Sequence, residues 1–261
     1  MIPKIIHYCW FGGNELPEKA KKCIESWQKF CPDYEIKRWS EDNYQFDSIR
    51  FLQKAAADGK WSFVTDYVRL DVVYQHGGIY LDTDVELIKP IDDLLKYKAF
   101  FGFETNETIN TGLGYGAEAG YEPLRQMMEK YKLIQELVSE EQYINNTCPT
   151  VQTPYIAQEG FRLNGEDQTI DNVRIFSKEY LCPLNYQTGE LAVTENTISI
   201  HWYAASWMDE ADRKVMEMRQ KLTPMLGLKN AWRAAVLIQY TRYKGIKETL
   251  RYYLKKIVQC S

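Results

Sequence analysis

The amino-acid sequence predicts an α/β layered domain with a mainly parallel mixed sheet, followed by a short helical tail. Short apolar runs closed by glycine alternate with segments whose apolar residues recur at helical spacing, the signature of helices laid on a largely parallel sheet. Charge then changes sign toward the C-terminus. Leu228 to Ser261 holds eight basic residues against the single acid Glu248, so this stretch carries +7 of a chain whose net charge is −4, and the remainder carries −11. The expected boundary lies near residue 225, giving a domain over 1–225 and a basic amphipathic tail over 226–261.

Lys4 to Trp10 is an apolar run closed by Gly12 and Gly13, and reads as a strand. Pro17 stands where a first helical residue is favoured, and Ala20, Cys23, Ile24, Trp27 and Phe30 follow at helical spacing. Tyr34 to Trp39 reads as a second strand. Residues 48–58 and 61–76 read as helices; the second ends at His76, with Gly77 in the position that tolerates left-handed geometry. Ile79 to Leu81 is then a short buried strand that delivers Asp82. In the tail, apolar residues at 232, 235, 236, 239 or 240, 243, 246, 250, 253, 254 and 257 describe one amphipathic helix broken at Gly245, or two short ones.

At 45% hydrophobic and 26% charged residues the composition excludes a disordered or fibrous chain. No run approaches the roughly 18 to 20 apolar residues of a transmembrane helix, and the N-terminus starts as a strand without the zones of a signal peptide. The expected location is therefore cytoplasmic. Six cysteines without a C-x-x-C pair argue for reduced thiols over a zinc site. Nineteen Tyr and seven Trp exceed what a core needs and suit stacking on planar or sugar-like ligands. The basic tail has two readings: helices packed on the domain with a solvated charged face, or peripheral attachment of residues 228–261 to an anionic bilayer. Nucleic acid is a poor partner, because the rest of the chain is acidic.

The strongest local pattern is Gly77-Gly78-Ile79-Tyr80-Leu81-Asp82-Thr83-Asp84. A buried strand ending in two carboxylates one residue apart places them at the sheet edge where open α/β sheets bind ligands. Acids so close repel unless a cation shares them, and hard oxygen ligands suit Mg²⁺ or Mn²⁺. Asp66 and Arg69, three apart on the preceding helix, share a face, either as a plain ion pair or as part of the same site. His201, in Ile198-Ser-Ile-His-Trp-Tyr-Ala-Ala-Ser-Trp207, could complete a metal site, with Ser206 and Trp207 donating to a phosphate oxygen. A D-x-D after a strand also opens the haloacid-dehalogenase phosphatases, but that class wants Thr or Val where Glu86 stands. A non-catalytic sugar-nucleotide or glycan-binding module would keep the aromatics without needing the metal ligands.

Four stretches together resemble family 32 glycosyltransferases with a D-x-D sugar-binding region, and more distantly the catalytic core of the large clostridial glucosylating toxins. They are Ile2-Pro-Lys-Ile-Ile-His-Tyr-Cys-Trp-Phe-Gly-Gly13, Thr65-Asp-Tyr-Val-Arg69, Gly77 to Asp84, and His201 through Ser206-Trp207. The resemblance implies a GT-A fold, a nucleotide-sugar donor (a UDP-sugar ahead of GDP-mannose), Mn²⁺ or Mg²⁺, retention of anomeric configuration, and a glycan or lipid-linked glycan acceptor in surface polysaccharide synthesis. It implies that Trp10 stacks on the base, that Asp66 and Arg69 hold ribose and donor sugar, and that Asp82, Asp84 and Arg69 serve catalysis. By the same resemblance Asp82, Asp84 and His201 would form the metal set, and Cys9, Thr65, Tyr80, Asn110, Ser206 and Trp207 would complete the donor site. Thr147-Cys-Pro149 is similar to a T-G-P motif with Cys148 replacing glycine, so no role follows for it. A family that extends lipid-linked glycans also suits a place on the inner face of the plasma membrane.

Overall fold

The computed structural model describes residues 1–45, 49–134, 146–204, 208 and 210–259. The chain divides into two units, Met1–Pro183 with Ala192–Trp202, and Leu184–Leu191 with Tyr203–Ser261.

The first unit runs β1 (Ile5–Cys9), α1 (Glu18–Phe30), β2 (Glu35–Trp39), α2 (Arg50–Ala57), α3 (Trp61–His76), β3 (Gly78–Tyr80), β4 (Val85–Leu87), β5 (Ala99–Gly102), β6 (Tyr115–Ala117), α4 (Glu122–Leu133), α5 (Cys148–Gln158), β7 (Gln168–Ile170), β8 (Val173–Phe176), α6 (Lys178–Leu181) and β9 (Ser199–His201). Seven strands form one mixed sheet in the order β2-β1-β3-β6-β5-β8-β7. β1 runs parallel to β2 and β3, and β5 parallel to β8, while β6 is antiparallel to both β3 and β5 and β7 is antiparallel to β8. β1, β3 and β5 therefore point the same way, and their C-terminal ends share one edge. A separate two-stranded ladder pairs β4 with β9.

α1 buries Ala20, Cys23 and Trp27, the face its spacing predicts. Trp27, fully buried, donates its indole N–H to the Val85 carbonyl at 2.7 Å, and Ser26 Oγ accepts from the Leu87 N–H at 2.9 Å, so α1 fixes β4. α3 is buried almost all round, from Phe63 to Val73, as a helix in the middle of a core must be. That burial forces Asp66 and Arg69 to find partners, because an unpaired charge inside the core costs several kcal/mol.

The turn from α3 into β3 needs its two glycines. Gly77 caps the helix with φ 64°, its N–H bonded to Val73 O at 2.8 Å. At Gly78 (φ 110°) a Cβ would lie 2.8 Å from Ile5 O and 2.9 Å from His7 Nε2. His7 closes this corner: Trp39 Nε1–H donates to its Nδ1 at 3.1 Å, so Nε2–H donates to Gly77 O at 2.8 Å. Burial pushes the His7 imidazole down to about 4.

The second unit is helical. α7 (Glu210–Tyr243) is broken at Gly227 (φ 69°, ψ 162°), and α8 spans Gly245–Gln259. Val215, Ala235 and Val236 form its small core, with Met218, Trp232, Tyr240, Tyr252 and Tyr253 packed against them. Tyr240 donates to Asp212 Oδ1 at 2.5 Å, and Lys244 lies 3.5 Å from Asp212 Oδ2 and over the Tyr240 ring. The first half of α7 thus packs with the basic tail, ahead of the boundary expected at 225. The additional break comes from Pro224 and Gly227, neither of which suits a helix interior. Among the described residues no helix is long and apolar enough to cross a membrane.

Candidate active site

Because β1 and β3 are parallel, the segments that leave them emerge side by side. Leu81 N–H bonds to His7 O at 3.0 Å, which carries Asp82 to the same edge as Trp10. Trp10 is half-buried, outside the core, with its indole N–H donating to Asn14 O at 2.7 Å. Cys9, expected at the nucleotide, has its side chain in the core beside Tyr80, its thiol pushed up to about 12 by burial.

Arg69 is the brace of the site. Its guanidinium, only 4% exposed, places Nη2 3.0 Å from Asp66 Oδ1 and 3.2 Å from Asp82 Oδ1. Nε donates to Thr65 O at 3.2 Å, Nη2 to Thr65 Oγ1 at 3.3 Å, and the plane lies over the Tyr80 ring, 5.0 Å from its centroid. Tyr80, itself buried, donates to Asp82 Oδ1 at 2.9 Å. Arg69 thus makes an intrahelical ion pair with Asp66 and also reaches the D-x-D carboxylate. Burial and the neighbouring Asp82 push the Asp66 carboxyl up to about 7, against the opposing pull of Arg69 and of the Cys148 N–H that donates to it.

Asp82, Asp84 and His201 converge. Val85 is paired with His201 across the β4–β9 ladder, and Trp202 N–H bonds to Asp84 O at 2.9 Å, so His201 Nε2 stands 3.1 Å from Asp84 Oδ1. One ligand atom from each of the three lies within 4.8 Å of the others. Two carboxylate oxygens and an imidazole nitrogen at this spacing fit a hard divalent cation. The electrostatics agree with such a guest. Burial raises the Asp82 carboxyl, with Asp84 adding to it, and although burial alone would lower the His201 imidazole, Asp84, Asp82 and Glu104 together hold it above its ordinary value.

Three further segments close on Asp82. Asn110 Oδ1 accepts from Gly112 N–H at 2.7 Å, and a Cβ on Gly112 would collide with Asp82 Oδ2 and lie 2.9 Å from Arg69 Nη1. Only glycine lets this backbone reach the carboxylate. Asn110 Nδ2 donates to Glu104 Oε1 at 2.9 Å, which places a third acid at the end of β5 on the same edge. The start of α5 lies against Asp66, and its Gln152, fully buried, ties four elements together. Its Oε1 accepts from Thr111 Oγ1 at 2.7 Å and Cys148 Sγ at 3.0 Å, and its Nε2 donates to Tyr131 Oη at 3.2 Å and Asp66 O at 3.4 Å. Glu104, Cys148 and Gln152 were not expected here from sequence. A carboxylate just past the buried strand Ala99–Gly102 was the available signal for Glu104, as it was for Asp82. Ser206 and Trp207 lie outside the described residues. Glu86, on β4, accepts from Trp202 Nε1 at 2.8 Å.

Residues 17–101 match the family model described as a glycosyltransferase sugar-binding region containing a DXD motif. That window holds Asp66, Arg69, Asp82 and Asp84 and leaves Trp10, Asn110 and His201 outside. Asp82 and Asp84 thus fall within the stretch of the chain that is similar to the DXD region of these glycosyltransferases. The chain is 37% identical over 115 residues to inositol phosphoceramide mannosyltransferase 3 of Schizosaccharomyces pombe, covering 38% of this chain and 29% of the relative. It is 34% identical over 110 residues to inositol phosphoceramide mannosyltransferase 2 of the same yeast, covering 37% of this chain and 29% of the relative. The chain therefore matches under a third of the length of these relatives. Among solved structures, a chain titled PaToxG Glycosyltransferase superposes with a TM-score of 0.50 at 17% identity, over 60% of this chain and 69% of that one, which supports the glycosyltransferase fold.

Proposed function

We propose that the protein is a metal-dependent, retaining glycosyltransferase that moves one sugar from a nucleotide-sugar, a UDP-sugar ahead of GDP-mannose, to a glycan or lipid-linked glycan of a surface polysaccharide. The observation that carries the reading is the convergence of Asp82, Asp84 and His201 at the edge where Trp10 also emerges. Asp84 and His201, with Asp82, would hold Mn²⁺ or Mg²⁺, which when bound neutralises charge on a diphosphate leaving group. The names of the yeast relatives, which specify a phosphorylated sphingolipid acceptor, support a lipid-linked acceptor here.

In this reading the chain's own residues bind and orient. Trp10, half-buried at the sheet edge, offers its ring to the base. Arg69 fixes Asp82 and Asp66 in place, so that their remaining lone pairs can accept from ribose or sugar hydroxyls. Asn110 and Gly112 set the wall beside Asp82, and Glu104 holds the Asn110 amide in one orientation. A fixed array of dipoles and charges around a departing diphosphate lowers the barrier without a covalent partner, and we favour attack from the face the leaving group vacates.

A thermal-shift and turnover screen of UDP-glucose, UDP-galactose, their N-acetyl forms and GDP-mannose, each with and without Mn²⁺, tests this. A donor at 100 times its dissociation constant stabilises the fold by about 2.7 kcal/mol. The expected result is a Mn²⁺-dependent shift with one donor, followed by release of nucleoside diphosphate. Shifts with none of them, or turnover unchanged in EDTA, would overturn it.

A further inference from the structure

The second unit buries only part of its apolar surface. Its core takes Val215, Ala235, Val236 and the inward rings of Trp232, Tyr240, Tyr252 and Tyr253. Leu237 is 55% exposed, Ile238 49%, Ile246 67% and Leu250 58%, and the exposed large hydrophobics of the described residues concentrate between Met225 and Leu250. Exposed aliphatics in such a concentration mark an interaction surface and not ordinary solvated helix.

Their neighbours on the helices are basic. Arg233 lies one turn before Leu237, Arg242 one turn after Ile238, and Lys247 one turn before Leu250. Internal pairing takes up part of this charge: Lys244 faces Asp212, and Arg251 meets Glu248 at 3.1 Å. The net charge of +7 over Leu228 to Ser261 still stands. A second copy of the chain would bring +7 against +7. Nucleic acid would satisfy the charges and leave the aliphatics in water. An anionic lipid surface accepts both, with aliphatic side chains at the acyl boundary and guanidinium and ammonium groups at the phosphates.

We propose that the outward face of α7 and α8, formed by Leu237, Ile238, Ile246 and Leu250 with Arg233, Arg242 and Lys247, seats the chain on an anionic bilayer. The inference rests on the helical unit alone and is independent of the reading of the active site.

Cosedimentation of the full chain with phosphatidylglycerol-containing and pure phosphatidylcholine vesicles tests it, beside a paired variant Leu237→Gln/Ile238→Gln and a paired variant Arg233→Glu/Arg242→Glu. All four positions point to solvent, so helix content and melting temperature should match the parent chain. The expected result is at least tenfold stronger binding to the anionic vesicles, weakened as salt shortens the Debye length from ~30 Å at 0.01 M to ~8 Å at 0.15 M. The charge variant should weaken binding more than tenfold, as should the aliphatic variant even at low salt. Failure to bind phosphatidylglycerol vesicles at low salt would overturn the proposal, as would binding that neither variant reduces. A dimer in light scattering that Leu237→Gln/Ile238→Gln dissolves would assign the face to a second copy and overturn it equally. None of these outcomes bears on donor turnover in solution, which the donor screen reads separately.

Discussion

His201 Nε2 stands 3.1 Å from Asp84 Oδ1 because Val85, the next residue along from Asp84, is the ladder partner of His201. Strand pairing rather than a loop sets this distance, so the two ligands stay in register with each other. Asp84→Ala should therefore abolish transfer and remove the Mn²⁺-dependent part of donor binding while leaving the ladder paired. Donor titration with and without Mn²⁺, beside the melting temperature, reads both effects; full activity of this variant would sink the metal assignment.

Trp10→Ala should weaken donor binding by roughly 1 to 3 kcal/mol, the range for a base stacked on an aromatic ring. Since the ring lies outside the core, melting temperature should hardly move. A large drop in stability with unchanged donor affinity would make Trp10 structural instead.

Gly112→Ala should uncouple the site from the fold. Its methyl group would meet Asp82 Oδ2 and Arg69 Nη1, displacing the carboxylate that the donor needs. The expected outcome is a loss of metal-dependent donor binding of tenfold or more, in a protein that keeps its circular dichroism spectrum.

Glu104→Gln removes a charge and keeps an oxygen that can accept from Asn110 Nδ2. With same-face attack, turnover at saturating donor should fall about tenfold, from lost electrostatic support. A loss beyond a thousandfold, with a glycosyl ester on Glu104 detectable by mass spectrometry in the parent chain and absent from the variant, would identify Glu104 as a nucleophile and replace the same-face reading.

His7 makes stability depend on pH. Its imidazole is held neutral in the fold, pushed down to about 4 from an ordinary 6.5, mainly by burial. A new proton on Nδ1 would also face the Trp39 N–H. The unfolded chain therefore binds this proton first: the contribution is complete above pH 6.5 and is lost as pH falls from 6.5 toward 4, by up to about 3 kcal/mol. Urea denaturation at pH 7.5 and at pH 4.5 should show the loss, and His7→Gln should flatten this part of the profile.

The alternation of strands and helices through residue 84 was legible because glycine or proline marks at least one end of each element there. The D-x-D pair was legible because a buried strand can hold two acids only where it meets a ligand or a cation. Sequence spacing also joined Asp66 to Arg69, but not Arg69 to Asp82, a contact that depends on how α3 is set against β3. Gln152 was missed for a different reason. In an apolar helix it has no charge or periodicity to mark it, and its role appears only once Thr111, Tyr131 and the backbone of Asp66 are seen around it. In the tail, the repeat identified the helices but assigned Leu237 no side. The repeat did mark Trp232, Ala235, Val236 and Tyr240, which pack inward, but it placed Ile246 and Leu250 on the same stripe, and these are exposed.

The β4–β9 ladder has only three residue pairs and stands apart from the seven-stranded sheet. A two-stranded pairing of that length holds weakly by itself, and here it leans on Trp27 and Ser26 of α1. The strand that carries His201 is thus held by few ladder bonds, and a cation gripped by Asp82, Asp84 and His201 would tie it to the D-x-D segment. Amide exchange should accordingly be faster at Ile200 than at Ile6, and Mn²⁺ should slow the first and leave the second unchanged.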